Sequence, residues 1–166
     1  TLFYIITRFG KARNPIAAKF HENVPLEVFW SVTPAFFLVA MSIPAFGVLA
    51  FLDKEPEKVD QVVDITGYQF YWQYNFPKYD VTVTDDGTGK DPLVLPVDKN
   101  IMLYGQSPQV NHAWWVPAFG LKFDVIPGRI NRGWVHPIHE GFFKGQCAEL
   151  CGTLHAYMWI HVKVVP

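Results

Sequence analysis

Charged side chains are missing from one long stretch near the start of the chain, residues 28–52. At about 1.5 Å of rise per residue, a helix over these 25 residues is longer than the roughly 30 Å hydrocarbon core of a bilayer. Pro34 and Pro44 lie inside the stretch, and spanning helices tolerate prolines because neighbouring groups satisfy the freed backbone. The alternative, a helix buried in a soluble protein, needs a larger core than 166 residues supply. We therefore predict a transmembrane helix at about residues 27–52.

The chain also lacks the basic start of a secretory signal peptide, because the apolar residues 1–7 open it directly. This segment is too short to span a bilayer, and we interpret it as the end of an earlier, truncated transmembrane helix. The positive-inside rule then places the basic loop, residues 8–19, on the cytoplasmic side. The prediction is a helical hairpin anchor over residues 1–52, with residues 53–166 forming a domain on the opposite, outer side.

Residues 53–166 contain no internal repeat, phosphate-binding loop, dinucleotide motif or sustained helical periodicity. Instead, about nine short β-type segments alternate with turn residues. The predicted strands are residues 62–74, 81–84, 93–97, 101–104, 113–116, 121–126, 130–136, 142–145 and 159–165. In the first strand, alternation places Tyr68, Phe70, Trp72 and Tyr74 on one face. This series of short strands predicts an all-β domain, a Greek-key sandwich or barrel.

Cysteine is scarce: the chain has only Cys147 and Cys151, and His155 and Met158 follow in the pattern C-x3-C-x3-H-x2-M. Two cysteines outside a membrane commonly form a disulfide, but a disulfide would leave the histidine and the methionine unexplained. Structural zinc rarely uses a thioether, whereas thiolates, imidazole and thioether together favour copper. A mononuclear blue-copper centre uses one cysteine. Two thiolates leave open that both bridge a pair of copper ions.

Such a site needs a further imidazole from elsewhere in the chain. The other histidines are His21, His112, His136, His139 and His161. His112 differs from the rest because it opens the apolar strand predicted at residues 113–116. A cupredoxin presents its isolated histidine ligand at this position, at the mouth of a strand. His112 is therefore the candidate for the second imidazole.

Four segments carry a family resemblance: EVFWSVTP at residues 27–34, GYQFYWQY at 67–74, HAWWVPAFGLKFDVIPGR at 112–129 and GQCAELCGTLHAYM at 145–158. They span nearly the whole chain, and together they resemble subunit II of the haem–copper cytochrome c oxidases. The resemblance implies an all-β cupredoxin-like domain behind a transmembrane anchor, carrying a dinuclear copper centre (CuA). The implied ligands are the bridging thiolates of Cys147 and Cys151, the imidazoles of His112 and His155, the thioether of Met158 and the backbone carbonyl of Glu149.

The resemblance also implies roles for residues around the copper centre. The Glu149 carboxylate would help bind magnesium or manganese at the interface with subunit I, and Glu27, in a Glu-x-x-Trp pattern, would be a proton entrance. The family usually has Trp-Tyr-Trp where this chain has Phe70, Tyr71 and Trp72, and the first of the three receives the electron from cytochrome c. We expect electrons to enter at this segment, mainly through apolar contact at Phe70. The alternative is that Phe70 is an ordinary buried strand residue and Trp72 makes the contact.

The implied function is that of the electron-accepting subunit of a proton-pumping cytochrome c oxidase, which passes electrons to haem in subunit I for reduction of oxygen to water. Two alternatives remain: a membrane-tethered copper carrier or chaperone, and the CuA domain of a nitrous-oxide or nitric-oxide reductase. The expected partners are subunits I and III, the lipid bilayer and a cytochrome c, either separate or fused beyond Pro166. No feature predicts binding to nucleic acid. We expect the plasma (inner) membrane of a bacterium rather than the mitochondrial inner membrane, with the copper domain on the periplasmic side.

Overall fold

The computed structural model describes residues 1–166 as two compact units, Thr1–Lys54 and Glu55–Pro166. The first unit contains a short helix, α1 (Leu2–Arg8), and a long one, α2 (Val24–Leu52). The 29 residues of α2 have a mean hydropathy of 2.3, which makes it long and apolar enough to cross a membrane. None of its side chains is buried within the chain. That α1 is the end of a longer spanning helix remains a prediction.

Helix α2 begins at a reciprocal capping arrangement. The side chain of Asn23 accepts a hydrogen bond from the backbone N–H of Leu26 at 3.2 Å. In return, the Glu27 carboxylate accepts one from the backbone N–H of Asn23 at 3.4 Å. The two bonds satisfy donors that the first helical turn leaves free, and the negative charge of Glu27 lies near the positive end of the helix dipole. The helix therefore starts at Val24, slightly before the predicted position.

The second unit, Glu55–Pro166, is called the β-domain below. Its ten strands are β1 (Gln61–Tyr68), β2 (Tyr71–Phe76), β3 (Val81–Asp85), β4 (Leu93–Pro96), β5 (Ile101–Gln106), β6 (His112–Val116), β7 (Leu121–Val125), β8 (Asn131–Val135), β9 (Gly141–Cys147) and β10 (Trp159–Val165). They form two five-stranded sheets, in the orders β3-β2-β1-β5-β8 and β4-β10-β9-β6-β7. Two parallel pairs, β1 with β5 and β4 with β10, interrupt otherwise antiparallel sheets. The sandwich is therefore the correct alternative of the two predicted.

One predicted strand, residues 62–74, is wrong, because the structure divides it into β1 and β2. The two strands pair antiparallel with Tyr68 opposite Tyr71, so Gln69 and Phe70 form a two-residue connection. The predicted common face breaks at the same point: Trp72 and Tyr74 are buried, whereas Tyr68 is only half-buried and stacks on Tyr71 at 4.9 Å. The connection lacks the glycine, asparagine or aspartate that normally marks such a turn. The sequence therefore carried no signal for it.

The core of the β-domain lies between the two sheets and is rich in aromatic side chains. Trp72, Tyr74 and Trp114 are fully buried there. The indole N–H of Trp114, in β6, donates a hydrogen bond to the hydroxyl of Tyr74, in β2, at 3.4 Å. Because β2 and β6 belong to different sheets, this bond links the two layers directly.

Candidate metal centre

Strands β9 and β10 are joined by a ligand loop, residues 148–158, which carries most of the candidate metal ligands. Strand β9 ends at Cys147, and β10 begins directly after Met158. The backbone N–H of Cys147 donates to the carbonyl of Met158 at 3.0 Å, which closes the loop at its base. Within the loop, a single turn of 3-10 helix spans His155–Tyr157. The loop therefore folds back on itself, so that Cys147 and Met158 at its two ends lie side by side.

The remaining candidate, His112, reaches the loop from the neighbouring strand. It is the first residue of β6, which pairs with β9 so that Trp114 lies opposite Cys147. The backbone N–H of Ala148 continues this pairing by donating to the carbonyl of Ala113 at 3.0 Å. This register places His112 Nδ1 at 3.7 Å from Cys147 Sγ.

All six residues that the sequence nominated as copper ligands come together. The two sulfur atoms of Cys147 and Cys151 are 3.9 Å apart. Cys151 Sγ lies 3.6 Å from His155 Nδ1 and 3.8 Å from Met158 Sδ. The backbone carbonyl oxygen of Glu149 lies 3.2 Å from Cys147 Sγ. Two thiols, two imidazole nitrogens, a thioether and a carbonyl oxygen therefore surround one small volume.

This donor set fits copper and does not fit a disulfide. Bonded sulfur atoms lie about 2.05 Å apart, and both cysteines here are free. Cys147, Cys151, Met158 and His112 are all buried, so the soft donors are shielded from water. Thiolate, imidazole and thioether ligands in one pocket select copper over the hard cations that prefer oxygen.

Burial governs the protonation of these groups. It lowers the pKa of His112 from 6.5 to about 4, and the neighbouring His155 adds to the effect. Burial likewise raises the pKa of the Cys151 thiol to about 12, with a further contribution from Cys147 beside it. At neutral pH these two groups are uncharged unless a cation is present. A metal ion that binds here must displace a proton from Cys151, so binding is coupled to proton release.

Sequence reasoning missed two residues that support the ligand loop. The side-chain amide of Gln69 donates a hydrogen bond to the carbonyl of Cys151 at 2.7 Å. Gly152 has φ +134°, and a Cβ atom there would lie 2.9 Å from Gln69 Nε2 and 3.0 Å from the ring of Phe70. The β1–β2 connection is therefore seated on the loop. Each of the two residues is next to a residue that the sequence did nominate, since Gly152 follows Cys151 and Gln69 precedes Phe70. Only the fold shows that the two segments are in contact.

The three residues predicted to receive electrons differ in accessibility. Trp72 has no exposed surface, and its ring lies edge-on to the His112 imidazole at 5.7 Å. The prediction that Trp72 could contact a donor directly is therefore wrong, because strand β2 turns its side chain into the core. Phe70 and Tyr71 are partly exposed. Of the three, only these two can touch a docked protein.

Glu149 and Glu27, whose carboxylates the sequence nominated for roles other than binding copper, are both exposed. Glu149 lies in the ligand loop, and its side chain forms no salt bridge within the chain. Glu27 lies in the first turn of α2 and takes part in the capping arrangement.

Comparisons with known families cover almost the whole chain. The family described as "Cytochrome C oxidase subunit II, periplasmic domain" matches residues 61–165, and "Cytochrome C oxidase subunit II, transmembrane domain" matches residues 1–48. The second match, together with the apolar helix α2, identifies the first unit as a membrane anchor. The first match covers all ten strands and every candidate ligand.

Individual relatives agree. The chain is 36% identical to cytochrome c oxidase subunit 2 of Cereibacter sphaeroides over 99% of its length, and it spans 64% of that protein. It is 35% identical to a probable cytochrome c oxidase subunit 2 of Rickettsia felis, of which it spans 56%. The crystal structure of the periplasmic domain of subunit II of cytochrome oxidase of Bradyrhizobium japonicum is similar, with a TM-score of 0.60, 36% identity and coverage of 68% of this chain and 88% of that one. This likeness confirms the predicted cupredoxin-like sandwich, and the chain belongs to the cytochrome c oxidase subunit II family.

Proposed function

We propose that this chain is the electron-accepting subunit of a cytochrome c oxidase, which receives electrons from a cytochrome c and passes them to haem in a partner subunit I. The observation that carries the proposal is the meeting of six copper-type donors from strand β6, the end of strand β9 and the ligand loop. No other cluster of three or more histidine, cysteine or acidic side chains in the chain could hold a metal ion. Oxygen reduction to water and proton pumping would then take place in subunit I.

The proposed ligands come from strands β6 and β9 and from the ligand loop. The thiolates of Cys147 and Cys151, the imidazoles of His112 and His155, the thioether of Met158 and the carbonyl of Glu149 would hold the copper. When bound, a dinuclear copper centre supplies a group that accepts and releases one electron at a time with small changes in bond length.

The protein keeps those changes small by holding the donors rigidly. Cys147 ends a strand that pairs on both edges, and the base of the ligand loop is closed by the bond from Cys147 to Met158. His112 is fixed by the β6–β9 register. Burial excludes water, whose reorganisation would otherwise accompany each change of charge.

An apolar patch beside the loop fits an electron donor that docks without strong electrostatic steering. Leu150 is 75% exposed and Tyr157 is 70% exposed, and both belong to the ligand loop. Phe70, on the connection that is seated on this loop, and Tyr71, the first residue of β2, add partly exposed rings. The charges from residue 53 onward sum to only −3, which steers a basic protein mildly. A cytochrome c, free or fused to this subunit, suits such a surface.

The remaining parts of the proposal concern the membrane. The anchor would place the β-domain on the periplasmic side of a bacterial plasma membrane, against subunits I and III. The Glu149 carboxylate would share a magnesium or manganese ion with subunit I. Glu27 would admit protons to the oxygen-reducing site, in addition to its capping contact with Asn23.

Copper analysis and electron paramagnetic resonance of the full chain in detergent test the proposal. We expect two coppers per chain and a seven-line hyperfine pattern, since one electron is shared by two equivalent nuclei. Cys147→Ser and Cys151→Ser should each abolish that pattern while circular dichroism of the strands is kept. The control His136→Gln changes an exposed histidine on a different loop and should alter nothing.

A single copper with a four-line pattern would contradict the proposal. So would a Cys147–Cys151 disulfide in protein prepared with excess copper. A copper carrier or chaperone, the competing function, would instead hand its copper rapidly to a chelator or an acceptor protein. The proposed centre should retain its copper under the same conditions.

A further inference from the structure

A second buried polar cluster lies at the side of the sandwich, away from the six donors. Asp85, the last residue of β3, has no exposed surface, and three N–H groups surround its carboxylate. The backbone N–H of Gly87 donates at 3.0 Å, and the backbone N–H of His161 donates at 2.8 Å. His161 Nδ1 lies 3.2 and 3.3 Å from the two carboxylate oxygens. His161 itself is 4% exposed.

This pair joins the two sheets. Strand β3 is the edge strand of one sheet, and β10, which carries His161, lies in the other. Along β10, His161 follows three residues after Met158, at the end of the strand where the ligand loop enters it. At this end of β10, the backbone N–H of His161 donates to the Asp85 carboxylate. It is not used by the neighbouring strand, because β4 pairs with β10 only from Val162 onward.

Asp85 is also linked to the candidate ligand His112 through one intermediate residue, Trp72. In the β2–β3 ladder it lies directly opposite Trp72, whose ring contacts the His112 imidazole. The turn after Asp85 approaches the ligand loop as well, because a Cβ atom on Gly87 would lie 2.9 Å from the carbonyl oxygen of Tyr157. The cluster therefore touches the supports of two ligands, Met158 and His112, that come from different parts of the chain.

Burying an ionisable pair is not the obvious way to stabilise this contact. Well-packed apolar residues commonly serve a sandwich equally well or better, since burial of a carboxylate carries a large desolvation cost. What hydrogen bonds add is a fixed geometry: three donors converge on one carboxylate and permit a single arrangement of β3 against β10. Residues that hydrogen-bond a metal ligand directly commonly change metal affinity by about 10- to 100-fold when replaced, so a pair that acts through one further residue should give an effect near the lower end of that range.

We propose that Asp85 and His161 are positioning residues for the copper centre. They hold the Met158 end of β10 in place against strands β2 and β3, where Trp72 packs against His112. The inference rests on the proposed function. It assigns to the pair a role in copper affinity and in the electronic structure of the centre, beyond any contribution to folding.

The test uses the full chain in detergent and four variants. His161→Phe removes the Nδ1 donor and keeps a ring of similar size beside Phe142, which His161 contacts at 5.7 Å. Asp85→Asn replaces one carboxylate oxygen by an amide. His161→Asn restores an N–H donor close to the position of Nδ1. Val164→Ala, in the same strand but directed into the core, is the control for a loss of stability alone.

Three quantities are measured: copper affinity by competition with a chelator, the copper hyperfine splitting, and the melting temperature without copper. We expect His161→Phe and Asp85→Asn to weaken copper affinity about tenfold and to change the hyperfine splitting. His161→Asn should lie close to the wild type. Val164→Ala should lower the melting temperature and leave both copper measurements unchanged.

Wild-type affinity and splitting in both His161→Phe and Asp85→Asn would overturn the inference, whatever their melting temperatures. If His161→Phe does not fold, the copper measurements on Asp85→Asn decide alone. The amide of that variant can place an N–H group opposite the backbone N–H of His161, where no hydrogen bond can form. A wild-type chain that holds fewer than two coppers would instead overturn the proposed function. Two coppers in the wild type with unaffected variants would overturn only the role of this pair.

Discussion

Acid should destabilise the copper-free β-domain in part through one buried residue, His112. Its imidazole has no exposed surface, and its Nε2 atom has no hydrogen-bond partner. A proton on this ring would therefore be buried without an acceptor at Nε2 and close to a second imidazole, His155. These two causes, burial first, lower its pKa from 6.5 to about 4.

The size of the effect follows from the two pKa values. Above pH 6.5 the imidazole is neutral in the folded and the unfolded chain, so it costs nothing. As the pH falls from 6.5 towards 4, the unfolded chain takes up a proton that the folded chain excludes, and stability is lost. Each pH unit between the two values is worth about 1.4 kcal/mol, so the full loss of unfolding free energy is about 3.5 kcal/mol.

Urea unfolding without copper, followed by tryptophan fluorescence between about pH 7 and about pH 4.5, measures this loss. Apart from Trp30, every tryptophan lies in the β-domain, so the signal reports on that unit. Carboxylates also titrate in this range, and the variant His112→Leu removes only the contribution of the imidazole. The wild type should therefore lose more stability than the variant as the pH falls. Parallel pH profiles for the two proteins would refute the argument.

Four further changes test other parts of the site. Gly152→Ala should cost about 1–3 kcal/mol of unfolding free energy, because the methyl group meets Gln69 and Phe70 at a positive φ. The control Gly120→Ala, whose methyl group faces open space, should cost less. Equal losses in the two variants would contradict the contact. Phe70→Ala should slow electron transfer from cytochrome c with weak salt dependence, whereas a rate that falls about tenfold per decade of salt, with Phe70→Ala harmless, would overturn apolar docking. Glu149→Gln should keep the copper spectrum and lose the magnesium or manganese of the assembled complex, and an undiminished metal content would refute that role. Glu27→Ala should slow oxygen reduction without changing the copper spectrum, and unchanged turnover would remove the proposed proton entrance.

The features predictable from the sequence were those encoded by residues near one another in the chain. The absence of charge over residues 28–52 is a local signal, and it located α2 to within a few residues. The strands after Tyr74 were also found, because glycine, proline and aspartate mark the turns between them. Where the turn is made by Gln69 and Phe70, the alternation continued without a break and one strand was predicted in place of two.

Contacts between distant residues could not be predicted in this way. The ligand loop was recognisable because four of its donors lie within twelve residues, and His112 only because it opens an apolar strand. Asp85 and His161 are 76 residues apart, and the hydrogen bond from Gln69 to Cys151 spans 82 residues. Such pairs depend on how the two sheets stack and on the β1–β2 connection, and no periodicity in the sequence records either.

The proposed function raises the question of which aromatic ring receives the electron. Because Trp72 is fully buried, Phe70 and Tyr71 are the rings of the predicted entry segment that a docked donor can touch, and the two rings have different neighbours. A Cβ atom on Gly152 would lie 3.0 Å from the Phe70 ring, and Gly152 follows the proposed ligand Cys151 directly. Tyr71 instead stacks on Tyr68 at 4.9 Å. Phe70 is therefore the entry residue that we propose, because it is partly exposed and lies beside the residue that follows the proposed ligand Cys151.

A comparison of Phe70→Leu with Tyr71→Leu separates the two routes. Leucine keeps an apolar contact with the donor but removes the ring. Electron transfer within the docked complex should slow in Phe70→Leu and stay near the wild-type rate in Tyr71→Leu, with the copper spectrum of both unchanged. Because the Phe70 turn is seated on the ligand loop, the spectrum must be recorded alongside the rate. A slower rate accompanied by an altered spectrum, or a loss confined to Tyr71→Leu, would place the electron route elsewhere than through Phe70.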